Sequence, residues 1–313
     1  MKILMNEKQV TMAEGIERFI SYSMTKHLVE DTVSDYKHCF RYFLNWLKEK
    51  KYCSEIDIFV FEDYKHYLKG KKLSKATVDN YLRHVKVVIN YFIEKGWTYP
   101  FKMKLDKRIR IKKEAYTEEE IDKLLKKPNV KKCTFSQYRN WVVTCFLIST
   151  GVRRKTLANV KICDLNFEEK IINFNVAKND MDYYLPMTEE LKAILLEYLD
   201  IRGGKADDYL FCTQTGTQLN KTTISTIVKR YNKNHGVERS SVHLYRHTVG
   251  KNWALKSGNQ RKLQSILGHA TAAMSQEYVN IYATDFREEF ESNNLLDERI
   301  QSKKRIKMKR TRK

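Results

Sequence analysis

The stretch NWVVTCFLISTGVRRKTL, residues 140–157, decides how this chain is read. From Trp141 to Ile148 it is apolar except for Thr144, which predicts a buried helix. Gly151 follows directly, and a glycine in that place stops a helix by taking the left-handed conformation. Arg153 therefore stands just past a helix end, at a place fixed by the core behind it. Arg154 and Lys155 read as surface charges or contacts to a nucleic-acid backbone.

Outward from this stretch the pattern is mixed. KIINFNV (170–176) alternates, with Ile172, Phe174 and Val176 on one face. A polar turn from Lys178 to Asp182 leads to YYLPM, so a β-hairpin is expected. Helices are expected at TEELKAILLEYL and TTISTIVKRYNKN and through most of the remainder. Upstream, Thr117 and Glu120 form a capping box for a helix ending near Pro128. A second domain thus begins near residue 114.

The N-terminal part is all helical. TVSDYKHCFRYFLNWLKEK from Thr32 and TVDNYLRHVKVVINYFIEK from Thr77 echo each other, each opening on a plausible cap. Val33, Tyr36, Phe40, Phe43, Leu44 and Leu47 line one helix. Val78, Tyr81, Leu82, Val85, Val88, Ile89 and Phe92 line the other. Helices over about 12–25 and 58–69 complete a bundle. FKMKLDKRIRIKK (101–113) follows Pro100, is strongly basic and shows no sustained period. It reads as a linker suited to a phosphate backbone. Its Lys102, Lys104, Lys107, Arg108, Arg110, Lys112 and Lys113 are the candidate contacts to such a backbone. The organisation is a helical domain over 1–100, a linker over 101–113, a second domain over 114–298 and a basic tail over 299–313. The fold class is mostly α with a small β-hairpin or sheet.

Charge narrows the partner. The chain has 59 Lys and Arg against 38 Asp and Glu, a formal +21. Residues 303–313 hold eight of the basic residues and no acidic one, which leaves +13 elsewhere. Such an excess asks for a polyanion, and nucleic acid is the first. A membrane surface is disfavoured, because no basic amphipathic helix with an apolar anchor stands out. No stretch reaches the ~18–20 apolar residues of a membrane span. The N-terminus lacks a signal-peptide core, and the six cysteines form no C-x-x-C pair; both suit a reducing cytoplasm. A cytoplasmic, nucleoid-associated protein is expected.

Three further motifs complete the picture. SVHLYRHTVG (241–250) puts His243 and Arg246 three apart, on one face of a helix start. LGHATAAMSQEYVNIYATDF (267–286) puts Tyr278 nine residues after His269, and Tyr282 one turn further. Lys178 lies eight residues before Pro186. In order, T-G-x-R, a hairpin lysine, H-x-x-R-H, L-G-H and the spaced tyrosine resemble the tyrosine recombinases, the phage-integrase and Xer-type family. Any one element is weak, but the five in order and at these spacings are specific.

That resemblance implies an enzyme that cleaves and rejoins DNA through a 3′-phosphotyrosine. The chemistry asks for the same residue types. A nucleophile that keeps the bond energy in a covalent intermediate replaces metal and nucleotide; here it is Tyr278. Arg153 and Arg246 neutralise the phosphate oxygens bidentately and hold their charge at any working pH. Lys178 protonates the leaving 5′-oxygen, His243 accepts the tyrosine proton, and His269 donates a hydrogen bond to the phosphate. No cofactor is implied, and no metal. His243 and His247 are an H-x-x-x-H pair, but Leu244 stands where a metalloprotease has glutamate, and no third ligand is near. Tyr282 is off the family spacing and reads as packing. By resemblance the partners are duplex DNA with an inverted-repeat core site, three further copies in a tetramer, and DNA-bending accessory proteins. REEFESNNLLDERI (287–300) is either the helix that docks on a neighbouring copy or one that covers its own core. Integration or excision of a mobile element leads. Xer-like dimer resolution, a type IB topoisomerase and a non-catalytic DNA-binding relative are the alternatives.

The chain departs from the family at three places. Thr156 occupies a position usually acidic, for which Asp164 is the candidate substitute. Tyr245 stands for the usual leucine, and Ser275 for a common threonine.

Overall fold

The computed structural model describes residues 9–48, 51–106, 114–174, 183–257 and 259–268. The chain divides into two compact units, Met1–Ile111 and Lys112–Lys313.

Four helices make the first unit: α1 (Met12–Thr25), α2 (Glu30–Leu47), α3 (Ile58–Gly70) and α4 (Lys75–Glu94). The two echoing segments are α2 and α4, and they pack on each other. Their periodic residues supply the core: Val33, Phe40 and Phe43 from α2, and Val78, Leu82, Val85, Val88, Ile89 and Phe92 from α4 are all buried. α4 starts earlier than Thr77. Ser74 is its cap, accepting from the Thr77 amide at 3.1 Å, and Thr77 spends its hydroxyl on Ser74. Thr32 likewise lies inside α2, which opens at Glu30.

Residues 101–106 are not a free linker. Met103 is buried, Phe101 and Leu105 pack on the same core, and Lys86 donates to the Met103 carbonyl at 2.6 Å. Asp106 pairs with Lys65 at 3.2 Å and Lys69 at 2.8 Å. The reason is a period of two, Phe101–Met103–Leu105, which turns Lys102 and Lys104 out to solvent. Lys107, Arg108, Arg110, Lys112 and Lys113 lie outside the described residues.

The second unit is built round α6 (Phe135–Thr150), whose start is fixed by a capping box of Thr134 and Gln137. Tyr138, Trp141, Val142, Val143, Phe146 and Leu147 are buried almost all round the helix, because neighbours cover it on several sides. These include α5 (Glu118–Leu125), α8 (Glu189–Arg202), α9 (Lys221–Asn234) and α10 (Val242–Ser257). The Thr117–Glu120 capping box of α5 is present, but the helix stops at Leu125, short of Pro128. Short α7 (Arg154–Asn159) and α11 (Gln260–Leu267) complete the helices described.

A three-stranded antiparallel sheet runs in the order β1 (Leu165–Asn166), β2 (Ile171–Phe174), β3 (Tyr183–Pro186). Ile172 faces Leu185 and Phe174 faces Tyr183 across the hairpin. Ile172, Phe174 and Leu185 enter the core while Tyr184 is exposed, the expected alternation. Val176 lies outside the described residues. Among the described residues no helix is long and apolar enough to cross a membrane.

Candidate active site

Arg153 and Arg246 come from chain segments far apart in sequence and meet at one turn. The meeting depends on Gly151. It caps α6 with φ 60°, and its amide donates to the Leu147 carbonyl at 2.9 Å. A β-carbon there would lie 3.1 Å from Val249 Cγ1 and 3.3 Å from Leu267 Cδ2. Only glycine both turns the chain and lets α10 and α11 close on the end of α6.

That closure places Arg246, 3% exposed, between two carbonyls. It donates to Gly151 O at 2.9 Å and Leu267 O at 2.5 Å. Arg153, the residue before α7, donates to the next carbonyl, Gly268 O, at 2.8 Å. Two guanidiniums thus converge on Leu267–Gly268, the turn that ends α11 and immediately precedes His269. Gly268 takes φ 55° there.

His243 lies in the first turn of α10, three residues before Arg246, and is exposed. Ser241 caps this helix, its hydroxyl accepting from the Leu244 amide at 3.0 Å. The partial positive charge of a helix N-terminus favours an anion beside this histidine. Lys178, His269 and Tyr278, together with Tyr282 and residues 287–300, lie outside the described residues.

α10 is anchored from behind by a buried polar chain that the sequence analysis missed. The Tyr245 hydroxyl donates to Asn232 Oδ1 at 2.6 Å. Asn232 Nδ2 donates to the Tyr116 oxygen at 2.8 Å and the Arg239 carbonyl at 3.0 Å. Burial pushes the Tyr116 phenol up to about 12, so it remains a donor at neutral pH. The Tyr116 amide donates to Thr248 Oγ1 at 3.0 Å, one further tie to α10. Tyr245 in place of leucine is therefore structural, a hydroxyl spent on α9. The signal was Tyr245 itself, a polar tip at an apolar position.

Tyr183 was missed too. It begins β3, and its ring stacks on Phe174 with centroids 4.9 Å apart and planes 25° apart. A β-carbon on Gly268 would lie 3.1 Å from its Cε1. Burial pushes this phenol upward, while the charges of Arg246 and Arg153 pull the other way.

Asp164, the candidate substitute for the acidic residue missing at Thr156, serves its own turn. Its carboxylate accepts from the Lys161 amide at 2.7 Å and closes the turn Ile162–Asp164. The Arg153 guanidinium donates to Gly268 O, and the Arg153 carbonyl accepts from the Leu157 amide at 2.9 Å. Arg154 and Lys155 are exposed, and Arg154 donates to Ser225 Oγ at 2.8 Å.

Residues 114–285 match the family model described as "Phage integrase family", and residues 16–109 match "Phage integrase SAM-like domain". The chain belongs to the phage integrase family. Among similar proteins, the tyrosine recombinase XerA of Pyrococcus furiosus is 29% identical over 191 residues, covering 59% of this chain and 64% of that one. A tyrosine recombinase of Pseudothermotoga lettingae is 28% identical, and the match covers 57% of this chain and 59% of the relative. In both, the match spans less than two thirds of the relative. Tyrosine recombinase XerC of Thermodesulfovibrio yellowstonii matches over more: 26% identity, 80% of this chain and 85% of that one.

Solved structures agree on the fold. A XerA recombinase crystal structure superposes with a TM-score of 0.52 at 27% identity, covering 90% of this chain and 98% of that one. A Tn1549 transposon integrase in complex with a circular intermediate DNA gives 0.70 at 20% identity, covering 91% and 100%. The integrase fold is thus common to this chain and to proteins with little sequence in common.

Proposed function

We propose that this member of the phage integrase family is a site-specific DNA recombinase that cleaves and rejoins strands through a phosphotyrosine. The observation that carries this reading is the convergence of Arg153 and Arg246 on the Leu267–Gly268 turn. Two permanent positive charges are held there by main-chain carbonyls, beside a histidine at a helix start, one residue before His269. Such a pocket fits a phosphodiester and its more charged transition state. The Tyr278 oxygen attacks the phosphorus, and the bond to the 5′-oxygen breaks. His243 takes the phenol proton, Lys178 gives one to the leaving oxygen, and His269 donates to a phosphate oxygen. Arg153 and Arg246 neutralise the oxygens that do not bridge. These roles follow the family resemblance.

Duplex DNA is the substrate in this reading. The helical domain, over residues 1–100, and the catalytic domain, over 114–298, each contact it. The exposed Lys102 and Lys104 join Lys107, Arg108, Arg110, Lys112 and Lys113 as backbone contacts. Four copies acting on two inverted-repeat sites, with DNA-bending helpers, would move a mobile element within the cytoplasm. The test uses nicked suicide duplexes from DNA flanking the gene, with wild-type and Tyr278→Phe protein. A covalent adduct on a denaturing gel in wild type only is the expected result. An adduct in both moves the nucleophile, with Tyr282 next. Binding without any adduct favours a non-catalytic DNA-binding relative.

A further inference from the structure

The Tyr183 hydroxyl has no role in the scheme above, and its setting is unusual. Its oxygen is buried and has no hydrogen-bond partner among the described residues. A buried hydroxyl left in that state is unfavourable unless something completes it. Nor can the ring readily turn away to find a partner. One face lies on Phe174, its cross-strand neighbour. Another side lies against the backbone of Gly268, where a β-carbon would come within 3.1 Å of the ring. The ring is therefore fixed beside the turn whose carbonyls hold Arg153 and Arg246.

A phenol clamped beside the turn that holds two guanidiniums, with an unused O–H, is suited to an anion that the guanidiniums attract. It adds a donor without adding charge. The geometry points to Tyr183 as a positioning residue that donates a hydrogen bond from its hydroxyl to an oxygen of the DNA phosphate held by Arg153 and Arg246. This inference rests on the reading of those arginines as the phosphate pocket. The proton stays on the phenol throughout, so Tyr183 is not a second nucleophile. Burial, which opposes its ionisation, agrees with that division of labour.

Tyr183→Phe isolates the hydroxyl, because the ring contacts to Phe174 and Gly268 persist. Three measurements on the full chain are compared with wild type: the DNA-free melting temperature, the affinity for the nicked suicide duplexes, and the single-turnover rate of adduct formation. Without DNA the variant should melt at the same temperature or higher, since an unsatisfied hydroxyl has been removed. Affinity should fall severalfold, and the adduct should form about 10- to 100-fold more slowly, the loss expected for one hydrogen bond to a charged group. Affinity and rate both within about twofold of wild type would overturn the inference. A lower DNA-free melting temperature with unchanged affinity and rate would also overturn it, by assigning the hydroxyl to the fold. If wild type binds the duplexes but forms no adduct, the recombinase reading fails. The affinity comparison then decides Tyr183 by itself.

Discussion

Tyr245→Phe removes one oxygen from the interior and should cost more than its size suggests. Tyr245 and Asn232 are both 0% exposed. The phenol donates to Asn232 Oδ1 at 2.6 Å. Phenylalanine keeps the ring contact with Tyr116, 4.8 Å between centroids, so little packing is lost. What remains is an amide oxygen buried without its donor, which costs about 1–3 kcal/mol. For a unit of this size each kcal/mol lowers the melting temperature by about 2–4 °C, so the drop should be roughly 2–12 °C. Calorimetry of the full chain, read at the transition of the second unit, measures it. The same change in an Asn232→Leu background should be nearly neutral, because the orphaned acceptor is already gone. If Tyr245→Phe costs less than about 0.5 kcal/mol, or costs the same in both backgrounds, the polar chain does not anchor α10 as argued.

Other perturbations report on the site and the frame around it. Arg246→Lys keeps the charge but cannot bridge Gly151 O and Leu267 O while facing a phosphate; single-turnover adduct formation should fall at least ~100-fold. Gly268→Ala forces a side chain into φ 55° and against the Tyr183 ring, so thermal denaturation should show a loss of at least about 1–2 kcal/mol. The Glu120 carboxyl is partly desolvated, which raises its pKa. The Thr117 amide and the Arg239 guanidinium outweigh this and hold it below 4.5. A depressed folded-state value means its stabilisation is present above pH 4.5 and is lost as pH falls through the folded value. Glu120→Gln should therefore lower stability at pH 7 and flatten the acid limb, as read by denaturant titration at pH 7 and below pH 4.

Local chemistry was legible in the sequence. The end of α6, the capping box of α5 and the alternation of β2 each depend on a few adjacent residues, and those are written in order. The arginine pair was legible through the family pattern. Its anchoring was not, because the acceptors are main-chain carbonyls, which no residue type announces. The Tyr116–Asn232–Tyr245 chain joins positions 116 and 13 residues apart, and only the folded unit brings them together. Residues 101–106 were misread because basic side chains hid a three-residue apolar stripe. β1, two residues long, is too short to carry a period.

The carbonyls that grip Arg153 and Arg246 also decide when disorder is lost. A mobile arginine carries about 2 kcal/mol of rotamer entropy. Here the freedom is surrendered as the second unit folds, when each guanidinium takes its main-chain partner, and not when a ligand arrives. On the proposed reading, a phosphate meets guanidiniums already held by the main chain, so less of its attraction is spent on ordering them.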